Sequence, residues 1–341
     1  MSGERAVEIP LSLKHLPGGR VVRMTRETAP DVARFHEEFA GNQRLTAKVL
    51  EYEYLHNPIP GGGLYCAVDA TGRIVATQGC VPHRLRRGAA ELDSLMLERA
   101  LCRPDLQKTG VQVMLGSAGL RDVYPSSEWP LLWGKTSLAS PATLACGVDY
   151  RKRLDAGDTP PAAPPHLHFV EGLGPDALGF LERVYAAHPD TCFLSHTPAL
   201  LRWMVLENPF VRFTTGVLQG ASGIEAVAIV RAAWEGMARV DELLTLPGAD
   251  LDALVRALEL ELRRRQFKGI RFVLNGLHAP EAPLGEVLVA RGFSHGQDGS
   301  LLNVRHGSRS AREILSHCAI SGLWAPPFWA AAGVPPRSTT P

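Results

Sequence analysis

The stretch Leu97-Glu98-Arg99-Ala100-Leu101-Cys102-Arg103-Pro104-Asp105-Leu106-Gln107-Lys108-Thr109-Gly110-Val111-Gln112-Val113-Met114-Leu115 decides how this chain is read. Its first third has the apolar content of a strand. Pro104-Asp105 and Gly110 mark a loop, and the residues from Val111 onward suit a helix. A loop that ends at a helix N-terminus presents backbone N–H groups with no intrahelical partner. Those amides and the helix dipole both favour an anion such as a phosphate. One glycine in such a loop also fits an ordinary strand-to-helix turn, so the segment gains meaning only from its surroundings.

Working outward, the chain reads as a duplication. Pro30-Asp31-Val32-Ala33-Arg34-Phe35 recurs as Pro175-Asp176-Ala177-Leu178-Gly179-Phe180, each copy opening an amphipathic helix. Tyr52-Glu53-Tyr54-Leu55-His56-Asn57-Pro58 recurs as Trp203-Met204-Val205-Leu206-Glu207-Asn208-Pro209, at nearly the same spacing. A hairpin follows each time, over 64–78 with a turn at Asp69-Ala70-Thr71-Gly72, and over 213–230 with a turn between Gly220 and Gly223. The expected layout is an N-terminal domain over 1–152, a linker over 153–165 with four prolines, a C-terminal domain over 166–305 and an aromatic, proline-rich tail over 306–341. The tail, with Leu323, Trp324, Phe328 and Trp329, is expected to dock on its own protein.

The whole-chain numbers exclude several classes. Of 341 residues, 45% are apolar and 21% charged, a globular composition. Thirty-six basic against thirty-five acidic side chains leave a net charge of +1, so no global field favours nucleic acid or an anionic membrane. No apolar run reaches the roughly 20 residues of a membrane span, and no signal sequence stands at the N-terminus; the expectation is a cytoplasmic protein. The six cysteines (Cys66, Cys80, Cys102, Cys146, Cys192, Cys318) lie far apart, and the one close histidine pair, His166 and His168, has no matching carboxylate or thiolate. Neither a disulfide framework nor a metal centre is expected.

With these surroundings, Gln107-Lys108-Thr109-Gly110-Val111-Gln112 resembles the acyl-CoA pyrophosphate loop of the GNAT superfamily of N-acyltransferases, whose pattern is [Arg/Gln]-x-x-Gly-x-[Gly/Ala] after a strand. Gln107 and Gly110 fit; Gln112 stands where the pattern has a small residue. Leu131-Leu132-Trp133-Gly134 and Cys146-Gly147-Val148-Asp149-Tyr150 fall in the order of that family, as do Phe272-Val273-Leu274-Asn275 and Arg291-Gly292-Phe293 in the second half. The resemblance covers about residues 20–305. It implies an α/β (α+β) fold with two GNAT-like domains in tandem, each a mixed, mostly antiparallel sheet flanked by helices. In the second half the matching junction, Leu246-Pro247-Gly248-Ala249-Asp250, has an aspartate where the family places glycine. A carboxylate there repels pyrophosphate, so that half is expected not to hold CoA.

The resemblance further implies an N-acyltransferase that uses acetyl-CoA or another acyl-CoA as co-substrate, needs no metal, and acts on a small-molecule amine. Longer acyl-CoA or an acyl carrier protein is the alternative donor, and a non-catalytic acyl-CoA sensor or scaffold is the alternative from another class. A monomer or homodimer would serve. By the same resemblance Lys108, Thr109, Gly110, Val111 and Gln112, with Gln107, hold the pyrophosphate, while Leu101, Cys102 and Arg103 align the pantetheine and thioester. Glu98, Asp93 and Glu91 are the candidate bases, each with a solvated strand charge as the plain alternative. The family's acid, a tyrosine four residues ahead of the closing glycine, is replaced by Thr143, and Tyr150 reads as core. Arg84, Arg86 and Arg87 read as a solvated turn, with a phosphate contact as the sharper alternative. Asp241 and Glu242 end the second half's central strand and stand as candidates for lining a cleft. His83 and Ser126-Ser127 form no defensible nucleophile–base order.

Overall fold

The computed structural model describes residues 8–10, 14–124, 131–136, 143–154, 166–170, 172–220, 223–297, 301–305 and 309–319. The proline-rich connector over 155–165, Ser126-Ser127 and the aromatic run over 323–329 lie outside the described residues. Two units emerge, one of residues 1–83 and 93–135, the other of residues 84–92 and 136–341.

The first unit carries β1 (Glu8–Pro10), β2 (Arg20–Arg23), α1 (Ala29–Ala40), α2 (Ala47–Leu55), β3 (Gly63–Val68), α3 (Val111–Val123) and most of β4 (Ile74–Arg87), β5 (Ala90–Cys102) and β6 (Leu131–Thr136), while the adjoining ends of β4 and β5 over 84–92 count with the second unit. Its strands follow the order β1-β2-β3-β4-β5-β6. Strand β3 pairs antiparallel with β2 and with β4, and β5 and β6 run parallel, Ser94 facing Leu131 and Met96 facing Trp133. The turn at Asp69 forms because the Asp69 carboxylate accepts from the Thr71 and Arg73 amides, with Gly72 at φ 84°. Helix α3 presses Val111 and Leu115, both fully buried, onto the sheet with Tyr65, Val75 and Leu95. Gly119 permits that approach, since a Cβ there would stand 2.9 Å from both Cys80 Sγ and the Tyr65 ring. Each such leucine contributes about 1.5–3 kcal/mol by leaving water.

The second unit carries β7 (Thr143–Leu144), β8 (Gly147–Arg153), β9 (His166–Val170), α4 (Pro175–Ala187), β10 (Cys192–Leu194), α5 (Pro198–Leu201, running on as a π turn over Arg202–Leu206), β11 (Phe213–Gly220), β12 (Gly223–Ala232), β13 (Met237–Thr245), α6 (Leu251–Arg264), β14 (Gly269–Asn275), α7 (Ala282–Ala290), β15 (Ser294–Gln297), β16 (Leu301–Arg305) and α8 (Ala311–Leu315). Its main sheet has the order β15-β8-β14-β13-β12-β11-β9. Among the described residues of this sheet only β13 and β14 run parallel, and their ladder stops at Val240 and Phe272, beyond which the two strands part. Helix α6 buries Leu254, Val255, Leu258 and Leu262.

Two sequence expectations meet a different arrangement. Strand β8 belongs by sequence to the first half, yet it pairs with β14 and β15 in the second sheet, Tyr150 facing Phe272 and His295. The division in space therefore precedes residue 147. Tyr150 packs its hydroxyl where Gly285 of α7 leaves room, a Cβ there lying 2.6 Å away. The arginines near Gly88 are not a solvated turn either. Arg86 pairs with Glu182 at 2.6 Å and lies over the Tyr185 ring, Arg87 meets Asp190 at 3.3 Å, and the strand end carrying them pairs with β10. Among the described residues no helix is long and apolar enough to cross a membrane.

Candidate active site

In the first unit the loop between β5 and α3 opens with a 3-10 turn, Pro104–Leu106, and closes on Gly110 as the N-cap of α3. Gly110 sits at φ 91° and no side chain caps the helix, so the first amides of α3 have no intrahelical acceptor. Lys108 also takes a positive φ, 65°. An imagined Cβ on Gly110 meets nothing within 4 Å, so the approach to these amides is open. Gln112 is accommodated by turning inward: its Nε2 donates to the Thr77 carbonyl at 2.9 Å and to Gln78 Oε1 at 3.0 Å. The side chain that departs from the family pattern thus points at β4.

Arg103 is spent locally. Its amide donates to the Val75 carbonyl, its carbonyl accepts from Leu106, and its guanidinium grips Asp105 at 2.6 and 2.9 Å. That leaves Arg103 without the free backbone groups expected of a pantetheine contact. The Gln107 amide side chain reaches back to the Cys102 carbonyl at 3.5 Å, and Thr109 Oγ1 donates to the Leu106 carbonyl at 2.6 Å, which fixes the loop from within.

The three candidate bases separate. Asp93 is exposed, and Glu91 is exposed beside Arg86 at 3.7 Å. Glu98 is 4% exposed and belongs to a buried polar group that the sequence does not announce. Tyr54 donates to Glu98 Oε1 at 2.6 Å, Arg99 Nε lies 3.8 Å from Glu98, and Arg99 binds Glu53 through Nε and a terminal nitrogen. Gly79 leaves the space for the Tyr54 hydroxyl, which a Cβ would strike at 2.1 Å. Burial and the neighbouring Glu98 hold the Tyr54 phenol well above its ordinary range, so it stays a donor. Burial alone would weaken the hold of Arg99 on its proton, but Glu53 and Glu98 outweigh it and keep the guanidinium charged. Thr77 Oγ1 donates to the Arg99 carbonyl, so His36 Nε2, 3.0 Å away, is the donor to Thr77. Burial, with Arg99 adding to it, pulls His36 down to about 3.

A second imidazole lies buried in the same unit. His83 is buried against the Trp133 ring, burial pulls it down to about 4, and neither ring nitrogen has a hydrogen-bond partner among the described residues. A signal for the other missed residues did exist: Glu53 and His36 fall on the buried faces of α2 and α1, beside Val49, Leu50 and Tyr54 in one and Val32 and Phe35 in the other. A charge inside an apolar stripe asks for a buried partner.

The second unit differs at the matching places. Asp250 is the N-cap of α6, and its carboxylate accepts from the Ala253 amide at 3.0 Å. Asp241 and Glu242 are both buried. The β12–β13 register slips so that Asp241 bulges, held by Arg231 at 2.6 Å and Arg239 at 2.8 Å. Glu242 hydrogen-bonds His196, whose other ring nitrogen meets the Tyr185 hydroxyl. Where β13 and β14 part lies a cavity of about 120 Å³, lined among others by Glu242, Asp241, His188, His278, Phe193 and Ala319.

No protein-family model matches the sequence, and no curated protein sequence matches it. Solved structures do resemble it. A probable N-acyltransferase of unknown function from Enterococcus faecalis superposes with a TM-score of 0.60 at 12% identity, over 84% of this chain and 72% of that one. N-myristoyltransferase of Saccharomyces cerevisiae, solved with myristoyl-CoA and inhibitors, gives 0.58 at 12% identity over 93% and 88%. A GCN5-related N-acetyltransferase from Kribbella flavida gives 0.55 at 14% identity over 87% and 73%. At such identities a likeness speaks for the fold, and with two mixed, helix-flanked sheets in one chain, the protein has the tandem fold of the GCN5-related N-acyltransferases.

Proposed function

We propose that the chain is an acyl-CoA-dependent N-acyltransferase whose donor sits on the first unit and whose acceptor is the amine of a small molecule. The carrying observation is the open, uncapped N-terminus of α3 at Gly110. There the pyrophosphate of CoA would accept from the amides between Lys108 and Gln112, at the positive end of the helix dipole. At the equivalent position of the second unit, the N-terminus of α6, Asp250 already places the chain's own carboxylate on the Ala253 amide.

In this proposal the strand end at Leu101 and Cys102 runs beside the pantetheine. The acceptor amine attacks the thioester carbonyl directly, the carbonyl oxygen gains charge in the tetrahedral state, and the CoA thiolate leaves. Positioning and stabilisation of that oxygen supply most of the rate, with a base needed only to take the ammonium proton. Glu98 is the base kept from the sequence reading, because Tyr54 and Arg99 fix its carboxylate. Acetyl-CoA is the first donor to try. The likeness to an N-myristoyltransferase solved with myristoyl-CoA favours a longer acyl chain as the second.

Calorimetric titration of the protein with CoA, acetyl-CoA and myristoyl-CoA tests the site, followed by thiol release from the best donor over a panel of amines. Binding that grows with acyl length selects the second donor. No binding to CoA or either thioester would sink the proposal, and binding without thiol release on any amine would leave a sensor in its place.

A further inference from the structure

Strand β10 is three residues long and uses both edges. One edge pairs with the strand end at Leu85–Arg87. On the other, Cys192 and Cys318 form a parallel bridge, closed by the Cys192 amide to the His317 carbonyl at 2.7 Å and the Ala319 amide to the Cys192 carbonyl at 3.0 Å. Bridge partners put their Cα atoms about 4.8 Å apart with side chains on one face, inside the roughly 4.4–6.8 Å range a disulfide spans. The bridge therefore sets the two thiols side by side. Cys192 is half-buried and therefore reachable, whereas Cys318 is 1% exposed behind it.

The chemistry of the two sulfurs is unequal in the way an exchange reaction needs. The Cys318 S–H pulls Cys192 below the ordinary thiol range, burial opposes this, and the charges of Arg87 and Arg309 add to the pull. The Cys318 S–H donates to the Ile314 carbonyl at 3.3 Å. Elsewhere burial pushes Cys66 and Cys80 up to about 12, which makes them inert. Residues next to the pair line the cavity, Phe193 after Cys192 and Ala319 after Cys318. The segment bearing Cys318 is held besides by Asn275, whose side chain donates to the Leu315 and Cys318 carbonyls at 2.7 and 2.8 Å.

We propose that Cys192 and Cys318 are a dithiol–disulfide couple of the second unit, closed by exchange with a low-molecular-weight disulfide, and that closure pins the segment from α8 to Ala319 against β10. The Cys192 thiolate attacks one sulfur of the small disulfide, a mixed disulfide forms, and one small thiolate leaves. Cys318 then loses its proton to that thiolate and attacks the Cys192 sulfur, expelling the second small thiolate. Two protein thiols are oxidised and one small disulfide is reduced to two thiols. Donor binding on the first unit plays no part in this.

The full chain is equilibrated in glutathione buffers of rising oxidised fraction, quenched with an alkylating agent and mapped by peptide mass spectrometry. Cys192 and Cys318 should lose alkylation together and appear as one cross-linked peptide, while Cys66 and Cys80 remain thiols. Cys318→Ser should stop at a single glutathione adduct on Cys192, and Cys192→Ser should leave Cys318 as a thiol. Oxidation of the wild type should raise its melting midpoint and slow amide exchange over residues 311–319, both reversed by dithiothreitol and both absent in Cys318→Ser. Two free thiols in fully oxidised glutathione, or a lasting mixed disulfide on the wild type, would overturn the couple. Cross-linking with unchanged exchange over 311–319 would overturn the pinning.

Discussion

Replacing Gly110 by aspartate places a carboxylate at the N-terminus of α3, as Asp250 does for α6. The effect on the fold nearly cancels. A side chain at φ 91° costs about 1–2 kcal/mol, and a carboxylate that reaches the uncapped amides returns about 0.5–2 kcal/mol. Nothing within 4 Å obstructs the new Cβ. For a bound pyrophosphate the effect does not cancel. One like charge about 4 Å away repels by about 1 kcal/mol in a fully watery surrounding and about 4 kcal/mol at the effective dielectric of a protein surface. A loss of about 2 kcal/mol is a Kd raised about 30-fold. Calorimetry with CoA reads this directly, and a thermal-shift titration reads it again, because ligand at a hundred times its Kd stabilises the native state by about 2.7 kcal/mol. Gly110→Ala carries the backbone strain without the charge and should keep most of the affinity. Equal Kd values for wild type and Gly110→Asp would refute the placement of the pyrophosphate on α3.

Other consequences follow from the buried groups. Glu98→Gln keeps an oxygen that accepts from Tyr54, so steady-state kinetics should show kcat lowered about 100-fold with the Kd for CoA unchanged; full activity would remove Glu98 as base. Arg99→Met strands Glu53 and Glu98 without their cation, and urea unfolding should register a loss of about 3–5 kcal/mol. His36 and His83 are held neutral at about 3 and about 4, below the value near 6.5 of the unfolded chain. Their stabilising contribution is complete above pH 6.5 and is lost as the pH falls toward those folded values. At pH 5 each costs about 2 kcal/mol, so urea midpoints at pH 7 and pH 5 should differ, and His36→Gln should remove about half the difference.

Local chemistry made much of this fold legible. Pro30 and Pro175 sit in the first turns of α1 and α4, where a missing N–H costs nothing, and Asp69 with Gly72 closes the β3–β4 turn through side-chain acceptance and a positive φ. Asp250, which in sequence is a carboxylate set against pyrophosphate, is in space the N-cap of α6. Pro104-Asp105 and Gly110 mark a strand-to-helix loop in sequence, and in space the segment is a 3-10 turn followed by a helix that starts on Gly110.

What needed the tertiary structure is whatever depends on which distant elements meet. A glutamate in a strand reads as a solvated charge; Glu98 is buried because α2 lays Tyr54 and Glu53 over it. Strand β8 carries nothing in its own residues that says which sheet it joins, since a ladder is set by backbone hydrogen bonds to whatever edge is presented, and the edge it found is β14. The pairing of Cys192 with Cys318 is of the same kind: more than a hundred residues separate them, and a single β-bridge brings them together. The sequence by itself determined the helices, the turns, the duplication and the phosphate-loop candidate, because those are governed by contacts a few residues apart. The buried partnerships and the boundary between units were decided only by folding, because burial and register belong to the assembled surface and not to any one segment.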